Sequence, residues 1–378
     1  MSKFICPRCQ GMLIVKATHQ FCPHCCQVYP IDQQGITRFG HQTFWWHSLT
    51  LAQMEQIVTA AACRGWQTAL RHNLQQLTNA QTYQLALSES PADWHFLLNL
   101  PSQARILVLG CDWGQLITPL AKHYKEVHTL DANLVALQFV YWRAKQEGLD
   151  NVVLVQNDPL EWSTIPYPEN YFHLVALNGN LASIGIARTE ASPTEYQAKA
   201  LQEIHRVLGK GGILYLGVEN RLSYDNFRGH NTQDSVSIMS LLPRSWANRL
   251  SRYRGKKEGY RSYTYSLAGY RQLLANNGLN LKQVYAEYPH CRQPQVMIPI
   301  MLPQGTNTTT QTALTNGIGQ RLYRLIYRYV RAWSAPGYGL IAQRGEKNHV
   351  GINCHTYPDK GMGRGRAPGT PSIMEGRS

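Results

Sequence analysis

From residue 105 to about residue 344, apolar runs of strand length alternate with stretches of helical periodicity. This alternation is typical of βαβ units, in which parallel strands are joined by helices that pack on the faces of one sheet. It predicts strands at residues 105–109, 127–130, 152–156, 172–177, 213–218, 279–285 and 338–342. The fold class that follows is α/β, with a Rossmann-like sheet of seven strands and helices on both of its faces.

The segments on either side of this region differ from it in composition. Residues 1–40 are rich in cysteine and turn residues, whereas residues 44–100 show helical periodicity with a break at Ser90-Pro91. After residue 345 the chain is rich in glycine, proline and charge and loses apolar periodicity, which is typical of disorder. We therefore predict a cysteine-rich domain (1–40), a helical linker or cap (44–100), an α/β domain (101–345, with insertions at about 219–265 and 288–336) and a disordered tail (346–378).

Two Cys-x2-Cys pairs, separated by twelve residues, lie at the N-terminus. Each pair supplies two thiolates from one tight turn, and Zn²⁺ takes four such ligands at tetrahedral corners. The pattern predicts a small zinc ribbon whose ligands are Cys6, Cys9, Cys22 and Cys25, with Cys26 as an alternative to Cys25. A closed site of this kind is structural, because metal binding supplies folding free energy that so small a segment lacks. Recognition of a substrate or of RNA by the ribbon stays open.

Cysteine usage also indicates a compartment. Five of the nine cysteines lie between Cys6 and Cys26, and the N-terminus leads into them without an apolar signal region. No run of 18 or more apolar residues occurs, which excludes a transmembrane helix. Clustered cysteines in a chain without an export signal are typical of metal binding in a reducing compartment. We expect a cytoplasmic protein with no transmembrane segment.

Glycine and polar residues follow three consecutive predicted strands. Gly110 and Gly114 bracket the turn after the first strand, where backbone can approach a ligand at a helix N-terminus. Asp131 ends the second strand, 21 residues after Gly110, and can accept hydrogen bonds from both ribose hydroxyls. Asn157 and Asp158 follow the third strand and can address an adenine amino group. Because the carboxyl ends of parallel strands share one edge of the sheet, these residues predict a cofactor site there.

The residues of the first turn resemble a known family. Residues 106–114, Ile-Leu-Val-Leu-Gly-Cys-Asp-Trp-Gly, resemble the first motif of class I S-adenosylmethionine-dependent methyltransferases. Residues 201–212, Leu-Gln-Glu-Ile-His-Arg-Val-Leu-Gly-Lys-Gly-Gly, resemble the helix, turn and fifth strand that follow in that family. The resemblance extends over about residues 92–344 and implies the seven-stranded methyltransferase sheet and S-adenosylmethionine as cofactor. It matches Asp131 to the acid that binds the ribose and Asp158 to the acid on the adenine side.

Two positions depart from the family pattern. The family usually has Asp or Glu where Val108 stands and glycine where Asp112 stands. The missing acid helps to hold the amino group of the cofactor, and Asp112 returns a carboxylate nearby. We therefore place Asp112 among the predicted cofactor-binding residues, together with Asn178 at the end of the fourth strand. A non-catalytic relative is the alternative that these departures leave open.

Two further resemblances concern the ribbon and the acceptor. Residues 29–36, Tyr-Pro-Ile-Asp followed by Gly-Ile, resemble Trm112-like zinc ribbons found ahead of some bacterial methyltransferases. Residues 217–221, 241–244 and 263–266 resemble a bacterial subgroup often associated with cell-surface glycan assembly. This likeness implies a glycan, a lipid-linked precursor or a small metabolite as the methyl acceptor.

The groups after the fourth and fifth strands are expected to lie nearest to the transferred methyl group. The transfer is an in-line displacement, for which the enzyme positions the acceptor and removes its proton. The Asn-Gly-Asn sequence at 178–180 lacks the Asn/Asp-Pro-Pro-Tyr/Phe pattern of enzymes that methylate planar amino groups, which favours O-methylation. Glu219, Asn220 and His230 are the predicted catalytic residues, with His230 as a general base near neutral pH. A surface or structural role is the alternative for each of them.

The formal net charge of +14 favours an anionic partner. Part of this charge forms a basic loop that contains one acidic residue, Glu258, and the cations Arg244, Arg249, Arg252, Arg254, Lys256, Lys257 and Arg261. A methyltransferase of RNA, which uses the zinc ribbon and this loop for recognition, is therefore an alternative to the glycan or small-molecule enzyme. A non-catalytic zinc-ribbon interaction protein is the third alternative.

Overall fold

The computed structural model describes residues 2–40, 49–74, 80–157, 164–186, 190–224, 242, 244–253, 262–300 and 333–345. All of them belong to one compact unit, Met1–Glu346. Within these ranges the strands form a three-stranded antiparallel sheet at the N-terminus and a nine-stranded mixed sheet. No helix in the same ranges is both long enough and apolar enough to cross a membrane.

The small sheet consists of β1 (Ile14–Val15), β2 (His19–Phe21) and β3 (Val28–Pro30). The next strand, β4 (Thr37–Arg38), leaves this sheet and pairs in parallel with one edge of the large sheet. The backbone then continues the pairing, because the N–H of Phe39 donates to the carbonyl of Gln156 at 2.8 Å. The cysteine-rich segment therefore covers an edge whose hydrogen-bonding groups would otherwise lack a strand partner.

The large sheet contains the seven expected strands and two more. Its strands after β4 are β5 (Arg105–Leu109), β6 (Glu126–Asp131), β7 (Val152–Gln156), β8 (Phe172–Asn178), β9 (Leu208–Glu219), β10 (Leu279–His290), β11 (Gln293–Ile300) and β12 (Gly337–Arg344). They lie in the order β11-β10-β12-β9-β8-β5-β6-β7-β4. Strands β4 to β9 are parallel to one another, and β10, β11 and β12 pair with their neighbours antiparallel. The predicted α/β fold class is confirmed, and β4 and β11 are the additional edge strands.

One strand begins earlier than expected. The prediction placed a turn at residues 209–212 and the start of the strand at residue 213, but β9 begins at Leu208, which pairs with Phe172 of β8. The register shifts between Phe172 and Leu174, and Gly211 takes a φ of 70°. The glycine-rich stretch thus lies inside the strand as an irregularity in its pairing rather than forming a turn before the strand.

Helices cover both faces of the sheet. The helices after β5 are α4 (Ile117–His123), α5 (Leu134–Gln146), α6 (Pro193–Val207), α7 (Arg244–Tyr253) and α8 (Leu267–Asn276). Three helices, α1 to α3, come before β5 in the chain and are described in the next paragraph. Leu107 and Leu109 of β5 pack on the side of α6 and α8, whereas Ile106 and Val108 pack on the side of α4 and α5. The central strands are therefore apolar on both faces, as expected of a covered parallel sheet.

The N-terminal helices form a cap whose apolar cluster also contains side chains of the turn after β5 and of α5. They are α1 (Leu51–Arg64), α2 (Trp66–Ala69), a π-helical turn (Leu70–Leu74), α3 (Ala80–Leu87) and a 3₁₀-helix (Ser90–Leu97). The Thr50 side chain and Gln53 form a capping box at the start of α1. The predicted break at Ser90-Pro91 is the start of the 3₁₀-helix, whose Trp94 ring stacks on Tyr215 of β9 at 3.7 Å. We call residues 51–97 the helical cap.

A polar network ties the cysteine-rich segment to the amino end of β6. Lys3 Nζ lies 2.6 Å from Glu126 Oε1, and His128 Nε2 lies 3.3 Å from Glu126 Oε2. His128 and Lys3 together hold the pKa of the Glu126 carboxyl at about 2. On its other side, His128 Nδ1 lies 2.8 Å from the hydroxyl of Tyr167, whose ring contacts Phe4. The segment is thus fixed by side-chain packing and charge as well as by the strand pairing of β4.

Candidate functional site

The four predicted metal ligands lie together. The Sγ atoms of Cys6, Cys9, Cys22 and Cys25 all lie within 4.8 Å of one another, with Cys9–Cys22 at 3.4 Å and Cys6–Cys25 at 3.5 Å. Four sulfurs around one Zn²⁺ at about 2.3 Å would be separated by about 3.8 Å, so the donor set and its spacing fit zinc. Cys26 is exposed and is not part of this cluster.

The surroundings of the cluster are built to hold it. Cys6 and Cys22 are buried, and the hydroxyl of Tyr29 lies 3.1 Å from Cys6 Sγ. The backbone N–H of Cys6 donates to the carbonyl of Gly11, and the N–H of Cys22 donates to the carbonyl of Gln27. Each pair of cysteines therefore lies on a hydrogen-bonded turn, which is the local geometry that a Cys-x2-Cys pair requires.

The turn after β5 has an unusual backbone. Gly110, Asp112 and Gly114 have φ values of 96°, 41° and 80°, in the left-handed region that favours glycine. A Cβ at Gly110 would collide with the side-chain amide of Asn180. Asp112 thus takes a left-handed conformation at the position where the family usually has glycine. Aspartate is one of the few non-glycine residue types that tolerate this conformation. The other departure, Val108, is fully buried in the apolar cluster of its face.

Asp131 connects this turn to the end of β6. Its Oδ2 accepts a hydrogen bond from the N–H of Cys111 at 2.7 Å, and its Oδ1 accepts one from the N–H of Asn133 at 2.8 Å. Burial raises the pKa of Asp131, and these two N–H groups act in the opposite direction. Each carboxylate oxygen has a second lone pair, so two further hydroxyl donors can bind. This geometry is compatible with the predicted ribose-binding role of Asp131, which stays a prediction.

The other predicted cofactor residues lie at the same edge of the sheet. The N–H of Asn157 donates to the carbonyl of Asp131 at 2.9 Å, and its Nδ2 donates to the carbonyl of Thr164 at 3.1 Å. Asn178 is 8% exposed, and its buried Oδ1 has no hydrogen-bond partner among the described residues. Its Nδ2 faces the carbonyl of Arg292 at 3.5 Å. Asp158 lies outside the described residues.

The predicted catalytic residues have different surroundings. Glu219 is exposed at the end of β9, and its backbone carbonyl accepts a hydrogen bond from the hydroxyl of Tyr270 at 2.9 Å. Asn220 is buried, and its Nδ2 donates to the carbonyls of Trp333 and Ala335 at 2.7 and 2.9 Å. These contacts fix the backbone that leads into β12, and a catalytic role of Asn220 stays a prediction. His230 lies outside the described residues.

A buried carboxyl that the sequence did not reveal lies beside this edge. Glu287 of β10 is 0% exposed, and its Oε1 accepts a hydrogen bond from the hydroxyl of Tyr215 at 2.8 Å. In the part of the chain that the structure describes, its Oε2 has no hydrogen-bond partner. A Cβ at Gly339 would collide with this carboxyl. Glu287 and Glu219 both pair with Gly337, so they share one row across the sheet. Burial raises the pKa of Glu287 to about 8.

The hairpin turn that follows Glu287 lies against the end of β8. Arg292, between β10 and β11, donates from Nη2 to the carbonyl of Gly179 at 3.2 Å. The carbonyl of Arg292 in turn faces the amide of Asn178. The hairpin therefore brings Glu287 close to the strand end where the methyl acceptor is expected. The one sequence signal for this arrangement is Gly337-Tyr338-Gly339, two glycines on one face of a strand.

We predict that the purified protein holds one equivalent of zinc. Cys22→Ser should reduce the zinc content well below one equivalent and lower Tm by roughly 5–10 °C, because a structural zinc site contributes directly to folding. Elemental analysis and thermal unfolding measure both effects. Cys26→Ser is the matched control and should retain the metal; metal loss in that variant would instead support Cys26 as a ligand.

We predict that Glu287→Gln changes the pH dependence of stability. Since the pKa of Glu287 is about 8 in the folded protein and near 4.5 in the unfolded chain, the unfolded chain releases its proton first as pH rises. The wild type therefore loses stability between about pH 4.5 and 8, and the variant, which carries no such proton, does not. As pH rises from 5 to 8, the free energy of unfolding of the variant minus that of the wild type should increase by roughly 2–4 kcal/mol.

Urea unfolding at pH 5, 6, 7 and 8 measures this difference. Glu195→Gln, at an exposed position in the first turn of α6, is the control and should follow the wild type at every pH. Parallel curves for the wild type and Glu287→Gln would contradict a buried, protonated Glu287.

Comparison with known proteins identifies a domain within the α/β part of the chain. Residues 106–212 match the family described as a methyltransferase domain. No match was found among curated proteins. Among solved structures, an S-adenosylmethionine-dependent methyltransferase from Mesorhizobium loti is 16% identical, with a TM-score of 0.41, over 69% of this chain and 100% of that chain.

Two other solved structures have similar scores. A complex of the Haloferax volcanii Trm112 methyltransferase activator with a methyltransferase is 16% identical, with a TM-score of 0.41, over 76% of this chain and 97% of that chain. An S-adenosylmethionine-dependent methyltransferase from Methanosarcina mazei is 16% identical, with a TM-score of 0.40, over 65% of this chain and 94% of that chain. The chain therefore contains a methyltransferase domain over residues 106–212, within the confirmed α/β fold class, and carries an N-terminal four-cysteine cluster that fits a zinc ribbon.

Proposed function

We propose that this methyltransferase methylates a hydroxyl group of a glycan, a lipid-linked precursor or a small metabolite, using the site at the carboxyl ends of β5, β6 and β8. The observation that carries the proposal is the carboxylate of Asp131. It is held by the N–H groups of Cys111 and Asn133 beside the left-handed turn after β5, and it retains two acceptor positions for a ribose. A cytoplasmic location remains a prediction from the sequence.

The residues around Asp131 would hold the rest of the cofactor. Gly110 and Gly114 leave the backbone of the turn open to close approach, and Asn157 lies at the neighbouring strand end for the adenine side. Asp112 lies in the turn with its carboxylate 3.4 Å from Gln115 Nε2, and it is the carboxylate that we propose for the amino group of the cofactor. The chemistry that bound S-adenosylmethionine supplies is an electrophilic methyl group on a positively charged sulfur.

A hydroxyl acceptor needs a group that takes its proton. As the new O–CH3 bond forms and the S–CH3 bond breaks, the hydroxyl proton passes to a base, which enzymes commonly supply as a carboxylate or an imidazole. Glu219 is the exposed carboxylate at the end of β9 that can take this proton, whereas Glu287 in the same row holds its own proton below about pH 8. An exposed carboxylate at the end of the strand next to β8 supports a hydroxyl acceptor over a planar amino group.

We predict that the wild type binds S-adenosylmethionine and that Asp131→Ala raises its Kd at least about 100-fold, because two hydrogen bonds to a charged group are lost. Isothermal titration calorimetry measures both proteins. Asp150→Ala, at an exposed position before β7, is the control and should bind as the wild type does. No binding to the wild type at millimolar ligand would contradict the cofactor site and favour a non-catalytic interaction protein. Wild-type affinity in Asp131→Ala would contradict the ribose role.

Methylation of RNA is a second candidate, and one described surface favours it. Helix α7 buries Ala247 and Ser251 but exposes Trp246 (65%), Arg249, Arg252 and Tyr253 (89%). Exposed aromatic rings beside arginines are suited to stacking on unpaired bases while neutralising phosphates. The helix also lies close to the expected acceptor side, since Arg221 Nη2 donates to the carbonyl of Leu242 at 3.2 Å.

For this candidate we predict salt-dependent binding of structured RNA that Arg249→Glu combined with Arg252→Glu weakens at least about 10-fold. Gel-shift titrations at two salt concentrations measure the effect. The control combines Arg64→Glu with Lys125→Glu, which makes the same charge change at exposed positions elsewhere. Equal weakening by both double variants would indicate a general charge effect and count against RNA as the acceptor.

A further inference from the structure

The cofactor turn after β5 is packed into the helical cap. Trp113, within that turn, is 1% exposed and belongs to the apolar cluster formed by α1, α2 and the π-helical turn. Its ring lies edge-on to Phe139 of α5, with centroids 5.2 Å apart. The segment expected to touch the cofactor therefore places its largest side chain in the core of residues 51–97.

A buried arginine joins the same two parts through the backbone. Arg143 of α5 is 0% exposed, and its Nη1 donates to the carbonyl of Trp113 at 2.9 Å and to the carbonyl of Ala86, in α3, at 3.1 Å. Its guanidinium lies 4.1 Å over the ring of Trp66. Its Nε donates to Glu147 Oε1 at 3.0 Å, and this carboxylate at the C-cap of α5 balances the charge of the guanidinium.

Arg143 also fixes the end of the turn at which α4 begins. A Cβ at Gly114 would lie 3.4 Å from Cδ of Arg143, so the arginine stem fills the space beside this glycine. The carbonyl of Trp113, which Arg143 holds, belongs to the peptide that leads into Gly114. A turn with three left-handed residues, one of them Asp112, persists only where its surroundings constrain it. Arg143 supplies such a constraint from the side opposite Asp131.

We propose that Arg143 is a positioning residue for the cofactor turn and that, through it, the helical cap contributes to binding S-adenosylmethionine. The proposal rests on the cofactor site proposed above. Arg143 acts on the carbonyl of Trp113 and is not assigned a contact with the cofactor. Coupling of this kind is reciprocal, so cofactor binding must stabilise the cap by the same free energy by which the cap strengthens binding.

The first test compares two arginines with similar structural tasks. Arg206 of α6 is also largely buried, pairs with Glu203 and donates to the carbonyls of Tyr167 and Ile165, but it contacts no part of the cofactor turn. Arg143→Met and Arg206→Met should both lower Tm, because each leaves backbone carbonyls without a donor. Calorimetric titration with S-adenosylmethionine should give a Kd at least about 10-fold higher for Arg143→Met and unchanged within about 2-fold for Arg206→Met.

Arg143→Lys completes this series. A lysine keeps the charge and can donate to the carbonyl of Trp113, but it lacks the planar fork that serves two carbonyls and stacks on Trp66. We expect an affinity between those of the wild type and Arg143→Met. Wild-type affinity in Arg143→Met, or equal weakening in Arg206→Met, would overturn the proposal.

The second test needs no variant and applies even if Arg143→Met fails to fold. Hydrogen exchange of the wild type is measured with and without saturating S-adenosylhomocysteine. Amides of residues 51–74 and 80–97 should exchange more slowly with the ligand, whereas those of residues 14–30 in the small sheet should not change. Unchanged exchange in the cap would overturn the coupling while leaving the cofactor site intact. Absence of any binding to the wild type would remove the site and the coupling together.

Discussion

The left-handed turn between β5 and α4 is the constraint on which the site depends. Its backbone takes positive φ at Gly110, Asp112 and Gly114, and such a turn does not hold its shape by local preference alone. Asp131 holds it from the sheet side through the N–H of Cys111. Arg143 holds it from the helical side through the carbonyl of Trp113. The carboxylate thus shapes the turn, and in the proposed site it also binds the ribose.

The cysteine-rich segment is integrated with the sheet rather than attached to it. Its strand β4 pairs with β7, and its Phe4 and Phe39 rings pack against each other and into the core beside Tyr167. The segment is too small to fold on its own core, so the four-cysteine cluster would set its shape and the sheet edge would receive a partner strand. Strand β4, which follows the cluster in the chain, pairs with β7, whereas the acceptor is expected at β8 and beyond. This arrangement favours a structural role for the metal.

The sequence was sufficient for the parts of the fold that local pattern determines. Strands β5 and β7 have the predicted bounds, because each is a continuous apolar run between polar or turn residues. Strand β4 was not predicted, since two residues gain a strand conformation only from a partner more than a hundred positions away. Strand β11 contains Pro294 and Pro299, which argue against a strand except at an edge, where it lies. The four cysteines required no tertiary information, because the spacing of the two pairs is itself the signal.

The candidate site residues also fall into those that the sequence pattern identifies and those that only tertiary packing reveals. Gly110, Gly114 and Asp131 could be named from the sequence because strand ends converge at one edge of a parallel sheet. Arg143 and Glu287 could not, because a charged residue in a helix or strand is usually exposed and only tertiary packing buries it. The helical periodicity of α5 gives no sign that Arg143 faces inward to Trp66 and Ala86. Likewise, Glu287 is buried because Gly339, distant in sequence, leaves space above a neighbouring strand.

The two departures from the family pattern change side chains and leave the backbone of the turn in place. Asp112 adopts the left-handed conformation of the glycine that it replaces, at a cost that aspartate bears better than most residues. Val108 fills an apolar cluster, so the acid usual at that position has no polar surroundings here to face. The carboxylate of Asp112 instead lies near Gln115, at the start of α4. In the proposed site, cofactor recognition would therefore depend on Asp131 and on the fixed backbone of the turn, which is why the constraints on that backbone matter for the proposal.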